Sequence, residues 1–488
     1  MSRQCNTYYF FDKGILAPQG MSNAKVHIVT AKKDTANNPM FTEGWQENPI
    51  LPWEPRYDNA YPNVIFDKET GIYHCYYTMF TQDSDSRGVS KEERASRAYK
   101  PTMGRRTSLC YACSKDGVNW EKPNLGFIEF EGSYDNNILF LNAHGTGVFL
   151  DEEELDPNKR YKLVTMVDYP NIRDNSYMAV AFSKDGVNFG RLIPWPKFKP
   201  PADSHNFPFR DPRDGKFKMI TRVWDNGVRV CAVCESNDFI NWSEAREIAR
   251  GVGFENQIYS MPIIPYNGIY LGLASMFHEG DREDENFDTV DLELYVGKSV
   301  RHLDPVAPGE HLIERGAGKY PDGEFDCGCI YAAKPIKMGN KFCIYYMGGN
   351  GQHTNFRETS FGRAFIDCDK IAYIAPKDDE REMIVPTTMM VFYGNIIELL
   401  YDVEEGGEIS FSVHPRWNAP AFDGFDENNA KLTESENGWK VLSFDKPFDT
   451  IDTGAATLVI KAKKAKVYAI KGDLTVANPR YYGGETSS

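Results

Sequence analysis

The sequence predicts an all-β fold, and three observations lead to that class. Aromatic residues make up 13% of the 488 residues, and the chain also contains 40 Gly and 28 Pro. This composition is typical of strands joined by tight turns. Short segments of alternating or aromatic residues recur along most of the chain. One turn motif also returns several times, which indicates a repeated structural unit.

The repeated turn motif is Ser-Lys-Asp-Gly-Val-Asn-Trp at residues 114–120. It returns with Phe as its last residue at 183–189, and as a weaker copy at 236–242. Each copy follows a strand-like segment, and each such segment is preceded by an aromatic or β-branched run. Five of these runs occur, at residues 71–80, 161–167, 216–223, 268–277 and 341–347.

A further strand comes before each of the five runs. These strands are predicted at residues 59–66, 147–150, 206–209, 256–264 and 329–336. A three-strand unit repeated five times closes economically as a radial β-propeller, because that arrangement exposes few sheet edges. A pair of stacked sandwiches is the alternative, but it does not explain why the same unit recurs. We therefore predict a five-bladed β-propeller.

The pattern changes near residue 391. Alternating segments at 407–413, 456–460 and 466–470 predict the strands of a separate β-sandwich. The predicted organisation is a lead-in at residues 1–50, a propeller at 51–390, a β-sandwich at 391–475 and a tail at 476–488.

Charge and cysteine content restrict the function classes. Lys and Arg number 55 and Asp and Glu number 70, which gives a net charge of −15. Because this field repels polyanions, we expect no nucleic-acid partner, and no apolar stretch is long enough to predict a membrane span. Ten cysteines are a low density, so we expect a cytoplasmic protein, or an exported one whose signal has been removed. The sequence leaves the oligomeric state open.

Candidate site residues lie at the start of the first strand of each predicted blade. In a propeller these strands line the central channel, so their first residues converge on one mouth. The five positions are occupied by Asp58, His144, His205, Glu255 and Asp326. Asp203 and Asn206 lie beside His205. An axial group of acids shifts pKa values apart, as acid/base chemistry requires, whereas an ordinary polar mouth is the alternative interpretation.

Other motifs are predicted to be structural. Asp211, in Arg-Asp-Pro, lies six residues before Phe217 and therefore falls in a hairpin turn. The Ser-x-Asp-Gly turns are predicted to shape the chain. Cys110 with Cys113, and Cys231 with Cys234, have the spacing of zinc half-sites, but residues i and i+3 of a strand face opposite sides of the sheet. No metal or cofactor is predicted.

At this point the chain resembles a known group. The residues that carry the likeness are 53–77, the 114–120 motif, 203–206, 255–261 and the strand ending Val467-Tyr468-Ala469. Together they resemble the five-bladed glycoside hydrolases of families 32 and 43 and their uncharacterised relatives. The resemblance implies cleavage of a glycosidic bond, in particular that of a fructo- or arabinofuranoside.

The resemblance also implies roles for the mouth residues. Asp58 would be the nucleophile or base and Glu255 the general acid. Asp203, or failing that Asp326, would stabilise the oxocarbenium-like transition state or tune the acid. His144, His205 and Asn206 would bind sugar hydroxyls, and Trp53 and Tyr259 would offer faces for a sugar ring.

Two alternative functions remain open at this stage. A glycoside phosphorylase of the five-bladed type would need a basic pocket for phosphate, for which Arg105, Arg106 and His353 are candidates. A carbohydrate-binding propeller without catalysis is the alternative outside enzymology. All three interpretations have a carbohydrate as the partner.

Overall fold

The fold is almost entirely β-sheet. The computed structural model describes residues 6–57, 59–102, 104–168, 176–196, 203–451 and 454–477. The described residues contain a single α-helix, α1 (Lys91–Ser96), and short 3-10 turns at Lys13–Ile15, Pro18–Gly20, Gly44–Gln46, Pro157–Lys159, Glu427–Asn429, Glu436–Gly438 and Phe448–Thr450. The predicted all-β class is confirmed. Within these residues, the structure contains no helix with the length and apolar character needed to cross a membrane.

The chain divides into two compact units. The larger unit comprises Thr30–Pro265 and Tyr270–Ile366, and the smaller one comprises Met1–Val29, Tyr266–Ile269 and Asp367–Ser488. Four short strands open the described chain: β1 (Asn6–Tyr9), β2 (Ala24–Ile28), β3 (Lys32–Lys33) and β4 (Phe41–Thr42). The first two belong to the smaller unit and the last two to the larger one. The predicted lead-in at residues 1–50 is therefore divided between the units.

Antiparallel sets of strands follow one another along the larger unit. The first set contains β5 (Asn63–Asp67), β6 (Ile72–Gln82), β7 (Arg106–Ser114), β8 (Trp120–Glu121) and β9 (Ile138–Leu141). The second contains β10 (Ala143–Leu150), β11 (Tyr161–Val167), β12 (Tyr177–Ser183) and β13 (Ile193–Pro194). The third contains β14 (Phe207–Arg210), β15 (Phe217–Asp225), β16 (Val228–Ser236) and β17 (Arg246–Arg250). Each is a separate hydrogen-bonded sheet.

Two further sets share one sheet. The fourth contains β18 (Asn256–Ser260), β19 (Ile263–Tyr266), β20 (Ile269–His278), β21 (Val290–Ser299) and β22 (His302–Pro305). The fifth contains β23 (Cys329–Ala332), β24 (Ile336–Met338), β25 (Lys341–Gly349) and β26 (Thr359–Asp367), together with β3 and β4. Among the described residues, one parallel pair, Val290 with Cys329, joins the fourth set to the fifth.

Side-chain contacts tie neighbouring sets together in chain order. They are Tyr161 Oη to Asp67 Oδ2 at 2.7 Å, Arg210 to Asp151 at 2.6 Å, Tyr270 Oη to Asp211 Oδ1 at 2.6 Å and Tyr345 Oη to the Gly117 carbonyl at 2.9 Å. The last of these returns from the fifth set to the first. We therefore interpret the larger unit as a ring of blades whose inner strands are β5, β10, β14, β18 and β23; the blade number of five stays a prediction.

The repeated Ser-x-Asp-Gly turns shape the chain, as predicted. Ser114 Oγ accepts a hydrogen bond from the Gly117 amide at 2.9 Å, and Asp116 Oδ1 accepts from the amides of Val118 and Asn119 at 2.8 Å. Gly117 has a φ of +71°, and a Cβ there would collide with the Tyr345 hydroxyl. Glycine is required at this position both for its backbone angle and for this close approach.

The hairpin aspartate and the paired cysteines also have the predicted structural roles. Asp211 accepts from the Arg213 amide at 3.0 Å as well as from Tyr270. Cys110 and Cys113 lie in β7, where they pack in different hydrophobic clusters. The two cysteines of β16, Cys231 and Cys234, are likewise divided between two clusters. Thiols that face apart in this way cannot share one ion.

The described residues of the smaller unit form one eight-stranded sheet. Its strands are β1, β2, β27 (Ala372–Pro376), β28 (Met383–Pro386), β29 (Met390–His414), β30 (Lys431–Glu434), β31 (Trp439–Ser443) and β32 (Thr457–Val476). The predicted strands at 456–460 and 466–470 are two parts of the single strand β32. Leu399 and Phe411 of β29, and Leu458 and Ile470 of β32, lie in one buried cluster. Both parts of each long strand thus cover the same core, which is the packing of a sandwich.

Candidate functional site

Tyr61 lies at the centre of a polar cluster where three inner strands begin. Ser204 Oγ donates a hydrogen bond to Tyr61 Oη at 2.6 Å, and Tyr61 Oη donates to Tyr259 Oη at 3.2 Å. Asn59 Nδ2 donates to both tyrosine hydroxyls, at 2.8 and 3.0 Å. These residues come from the first, third and fourth strand sets, so the ring brings distant segments to one place. We call this group, with Asp203, Arg222 and His144, the Tyr61 cluster.

The backbone at the Tyr61 cluster is strained. Ala60 and Tyr61 have φ angles of +55° and +44°, a region that residues other than glycine rarely adopt. Strain of this kind concentrates at functional sites, where surrounding contacts hold it in place. The strained pair directly follows Asn59, whose side-chain amide is held by its hydrogen bonds to Tyr61 and Tyr259.

Asp203 is the carboxylate that the structure places in this cluster. Arg222, on β15, forms an ion pair with it, and the Asp203 side chain remains 33% exposed. Burial raises the pKa of Asp203, but the charges of Arg222 and His144 and the hydrogen bonds from Arg222 and Ser204 lower that pKa by more. The pKa of Asp203 is therefore below its ordinary value, and the group is ionised at neutral pH.

His144 begins the inner strand β10 beside this carboxylate. Its Nδ1 is buried and has no hydrogen-bond partner among the residues that the structure describes. Together with Tyr57, Asn59 and Thr78 it lines a cavity of about 10 Å³, which is room for about one water molecule. His144 thus keeps an unused polar atom close to Asp203.

His205 and Asn206 lie near the cluster but are parts of its scaffold. His205 Nε2 is 3.3 Å from Asn63 Oδ1, and burial lowers the pKa of the imidazole to about 3, against a smaller opposing effect of the Thr146 backbone. Asn206 Nδ2 donates to the Gly145 carbonyl at 3.0 Å, and its Oδ1 accepts from Thr221 at 2.7 Å. Both side chains are buried, with their hydrogen bonds used inside the ring.

Asp326 and Trp53 have their hydrogen-bond partners outside the Tyr61 cluster. Asp326 is buried against Lys33 Nζ at 2.7 Å and Tyr346 Oη at 2.8 Å, both in the fifth set. Trp53 Nε1 donates to Asn137 Oδ1 at 2.7 Å, and its ring packs on a buried cluster of the first, fourth and fifth sets that includes Tyr61 and Tyr259. These contacts are structural for both side chains.

The contacts described so far do not test the catalytic roles predicted for Asp58 and Glu255. Asp58 lies outside the described residues, directly before Asn59. Glu255 lies in the exposed turn before β18, where its carbonyl accepts from the Glu279 amide at 2.7 Å and its carboxylate lies beside Gly253. Their catalytic roles stay predictions.

Sequence reasoning missed Arg222, Tyr61 and an exposed tryptophan. Trp224 follows Arg222 by two residues on β15, so both side chains are on one face of the strand. Trp224 is 49% exposed, and Arg229 lies over its ring at 4.4 Å and over Tyr259 at 5.6 Å. The Asn-Gly pair at 226–227 marks a hairpin tip, and this feature of the sequence could have indicated that Trp224 lies near an exposed turn. Arg222 and Tyr61 carried no comparable signal.

The candidate phosphate ligands are mostly engaged elsewhere. Arg105 donates to Tyr99 Oη at 3.2 Å and lies over Phe80, and Arg106 donates to Asn142 at 3.0 Å. His353 does contact the cluster, since its ring centroid is 4.5 Å from that of Tyr259.

A larger cavity of about 710 Å³ opens between loops of the fourth and fifth sets. Asp291 lines it, held by Arg315 Nε at 2.7 Å and His278 Nε2 at 2.7 Å. Burial raises the pKa of Asp291, but the hydrogen bond with His278 and the charges of Arg315 and His311 lower it to about 2. This cavity is polar, and its buried carboxylate Asp291 is already paired with Arg315 and His278.

Comparison with known proteins finds similar solved structures but no related sequence. No protein-family model matches the chain, and no curated protein matches it. One similar structure comes from the GH130 family of mannoside phosphorylases, described as containing glycoside hydrolases that target beta-1,2 mannosidic linkages in Candida mannan. Its identity is 15%, the match covers 72% of this chain and 96% of that one, and the TM-score is 0.46.

Two other similar structures differ in their described activity. A beta-1,2-mannobiose phosphorylase from Listeria innocua has 14% identity, covers 70% of this chain and 98% of its own, and has a TM-score of 0.47. An N-acetylgalactosamine deacetylase from F. plautii has 13% identity, 72% and 97% coverage and a TM-score of 0.44. Similarities this distant carry no argument about activity. None of the three is described as a member of family 32 or 43, so that resemblance stays a prediction.

Proposed function

We propose that the protein is a glycoside hydrolase whose active site is the Tyr61 cluster. The observation that carries this proposal is the Asp203 carboxylate: it is ionised, a third exposed, and held by Arg222 where three blades meet. Glycoside hydrolysis passes through an oxocarbenium-like transition state, and a fixed carboxylate stabilises its positive charge. Arg222 supports this role by fixing the orientation of Asp203.

Asp58 and Glu255 complete the proposed chemistry. Asp58 would act as nucleophile or base, next to Asn59, whose amide is fixed by Tyr61 and Tyr259. Glu255 would protonate the leaving oxygen. Its side chain is exposed and accepts no hydrogen bond within the described part of the chain, so it is available to a substrate.

The exposed ring of Trp224 supports a carbohydrate as the substrate. A sugar ring has apolar C–H faces that stack on aromatic rings, and large exposed aromatic side chains beside a polar site are typical of ligand contacts. The resemblance to families 32 and 43 favours a fructo- or arabinofuranoside as the particular substrate.

A phosphorylase is the second candidate, and a specific observation favours it. The Nε atoms of Arg222 and Arg229 are buried and have no hydrogen-bond acceptor among the described residues. Both guanidinium groups lie near Tyr259, at 4.2 and 5.6 Å from its ring centroid. Unused guanidinium N–H groups suit a phosphate oxygen. Phosphate would then take the place of the attacking water.

The test is a substrate screen with and without inorganic phosphate. Nitrophenyl furanosides and pyranosides, fructans and arabinans are incubated with the protein, and the anomeric configuration of each product is followed by NMR. We expect sugar release in phosphate-free buffer. Turnover only with phosphate, yielding a sugar phosphate, would establish the phosphorylase. Saturable oligosaccharide binding without turnover would establish a binding protein, and absence of both would overturn the proposal.

Variants then assign the two predicted catalytic residues. Asp58→Asn and Glu255→Gln should each abolish turnover on the substrate found in the screen, with unchanged far-UV circular dichroism. Glu247→Gln is the matched control, because Glu247 is an exposed glutamate on the outer strand β17. Full activity in either test variant would remove that residue from the mechanism.

A further inference from the structure

A third cavity lies at the other end of the inner strands. The Tyr61 cluster includes His144 at the start of β10, whereas this cavity is reached by Val148, Phe149 and Leu150 at the end of the same strand. Its volume is about 260 Å³. We call it the Lys334 cavity.

The wall of the Lys334 cavity is mostly apolar. The apolar lining side chains include Val64, Phe66, Val148, Phe149, Phe207 and Ile336. They come from the first, second, third and fifth strand sets, so the cavity is a product of ring closure. An apolar wall of this size with few polar groups is typical of a site for a small organic molecule.

Lys334 supplies the charge inside this apolar wall. It follows β23, is partly buried, and forms no ion pair within 4 Å in the part of the chain that the structure describes. Burial lowers the pKa of its ammonium group, and the charge of Glu152 only partly offsets that effect. A partly desolvated amine without a counter-ion gains free energy when an anion enters.

The other charged residues of the cavity also favour an anion. Lys68 and Lys337 line it, against the single acid Glu152, which pairs with Lys68 at 3.3 Å at the exposed rim. Three lysines and one glutamate line the cavity, in a chain whose net charge is −15. Basic side chains thus outnumber acidic ones in the lining, although acids outnumber bases in the whole chain.

We propose that the Lys334 cavity binds a small carboxylate with an apolar body. The carboxylate pairs with the Lys334 ammonium, and the apolar body contacts the rings and branched side chains of the wall. The shape and charge of this cavity are independent of the Tyr61 cluster, so this binding does not depend on the proposed glycosidase activity.

Phenylacetate and hexanoate are suitable probes, with phenylacetamide as the uncharged control. Isothermal titration calorimetry on the full chain should show saturable binding of at least one carboxylate, and at least tenfold weaker binding of phenylacetamide. Lys334→Met should abolish binding, whereas Lys216→Met, which removes an exposed lysine outside the cavity lining, should leave the affinity unchanged. Equal binding to wild type and Lys334→Met, or no carboxylate binding to folded wild type, would overturn the proposal.

A second measurement uses the wild-type sequence and therefore does not depend on the folding of a variant. Lys334 is reductively methylated with formaldehyde and a borohydride, and modified lysines are quantified by mass spectrometry. The bound carboxylate should slow methylation of Lys334 and leave that of the exposed Lys216, which lies outside the cavity lining, unchanged. Phenylacetamide should protect neither lysine. Methylation of Lys334 at the same rate with and without saturating carboxylate contradicts the site.

Discussion

The guanidinium group of Arg222 lies over the ring of Tyr259, 4.2 Å from the ring centroid. Arg222 belongs to the third strand set and Tyr259 to the fourth, so this stack joins two neighbouring blades. The same guanidinium group pairs with Asp203. One arginine therefore fixes both an aromatic face and a carboxylate at the mouth of the ring.

The variant Asp203→Asn tests whether Asp203 acts in catalysis as well as in stability. If Asp203 stabilises a positively charged transition state, its loss lowers kcat by about 10²–10³-fold. Steady-state kinetics on the substrate found in the screen measures this effect. Asp34→Asn is the matched control, because Asp34 pairs with Arg363 at 2.8 Å with similarly low exposure of the arginine. Asp34→Asn should lower the free energy of unfolding and leave kcat unchanged. Equal kcat values for the two variants would argue against a catalytic role of Asp203.

Trp224→Ala should weaken substrate binding with little effect on folding. Half of this ring is exposed, so its removal costs little core packing, but it removes a stacking surface of about 1 kcal/mol or more. We expect a rise in KM of about fivefold or more, with kcat nearly unchanged. Trp417→Ala is the control, since Trp417 is 40% exposed and lies in the smaller unit. A KM as low as that of wild type would exclude Trp224 from the site.

Gly117→Ala should destabilise the ring more than Gly71→Ala. Both glycines have a φ of +71°, so both substitutions carry the same backbone cost of about 1 kcal/mol. A Cβ at Gly71 meets no atom of the described residues within 4 Å, whereas one at Gly117 collides with Tyr345. Urea unfolding should show an additional loss of about 1–3 kcal/mol for Gly117→Ala. Equal losses of unfolding free energy would mean that the Tyr345 hydroxyl moves away from the added Cβ without a cost in stability.

His205→Gln should reduce the sensitivity of the protein to acid. Burial lowers the pKa of His205 to about 3 in the folded state, while an unfolded histidine has a pKa of about 6.5. As pH falls below about 6.5 the unfolded chain binds a proton that the folded protein does not, so stability is lost toward about pH 3 at up to about 1.4 kcal/mol per pH unit.

Urea unfolding at pH 6, 5 and 4 measures this slope. The slope for His205→Gln should be smaller than that of wild type by about 1 kcal/mol per pH unit. Part of the slope should remain, because burial also lowers the pKa of His74, to about 4. The exposed His302 provides the control His302→Gln, whose slope should match wild type. Identical slopes for all three proteins would show that His205 is accessible to protons in the folded state.

The local elements were predictable because their signals are local. The Ser-x-Asp-Gly turn closes through bonds among residues two or three apart, as between Asp116 and Val118, so its sequence alone specifies it. The opposite faces of Cys110 and Cys113 follow from the two-residue period of a strand. Asp211 was assigned to a hairpin by the same local logic.

The membership of the site was less predictable because it depends on contacts between blades. Asp203 and His144 were both predicted to lie near one mouth, and the charge of His144 is among the causes that lower the pKa of Asp203. Asp326 begins an inner strand too, yet its carboxylate faces Lys33 and Tyr346 instead. The direction of a side chain at a strand end depends on which partner it finds, and Lys33 lies almost 300 residues earlier in the chain.

The amino-acid sequence by itself determined the β class, the repeated strand units and their turns, because alternation and turn chemistry act over a few residues. Only the tertiary structure decided that Tyr61, Arg222 and Tyr259 meet around Asp203, and that Lys334 ends in an apolar cavity. Those relationships arise when separate sheets pack side by side, and the packing of side chains from distant segments leaves no periodic trace in the sequence.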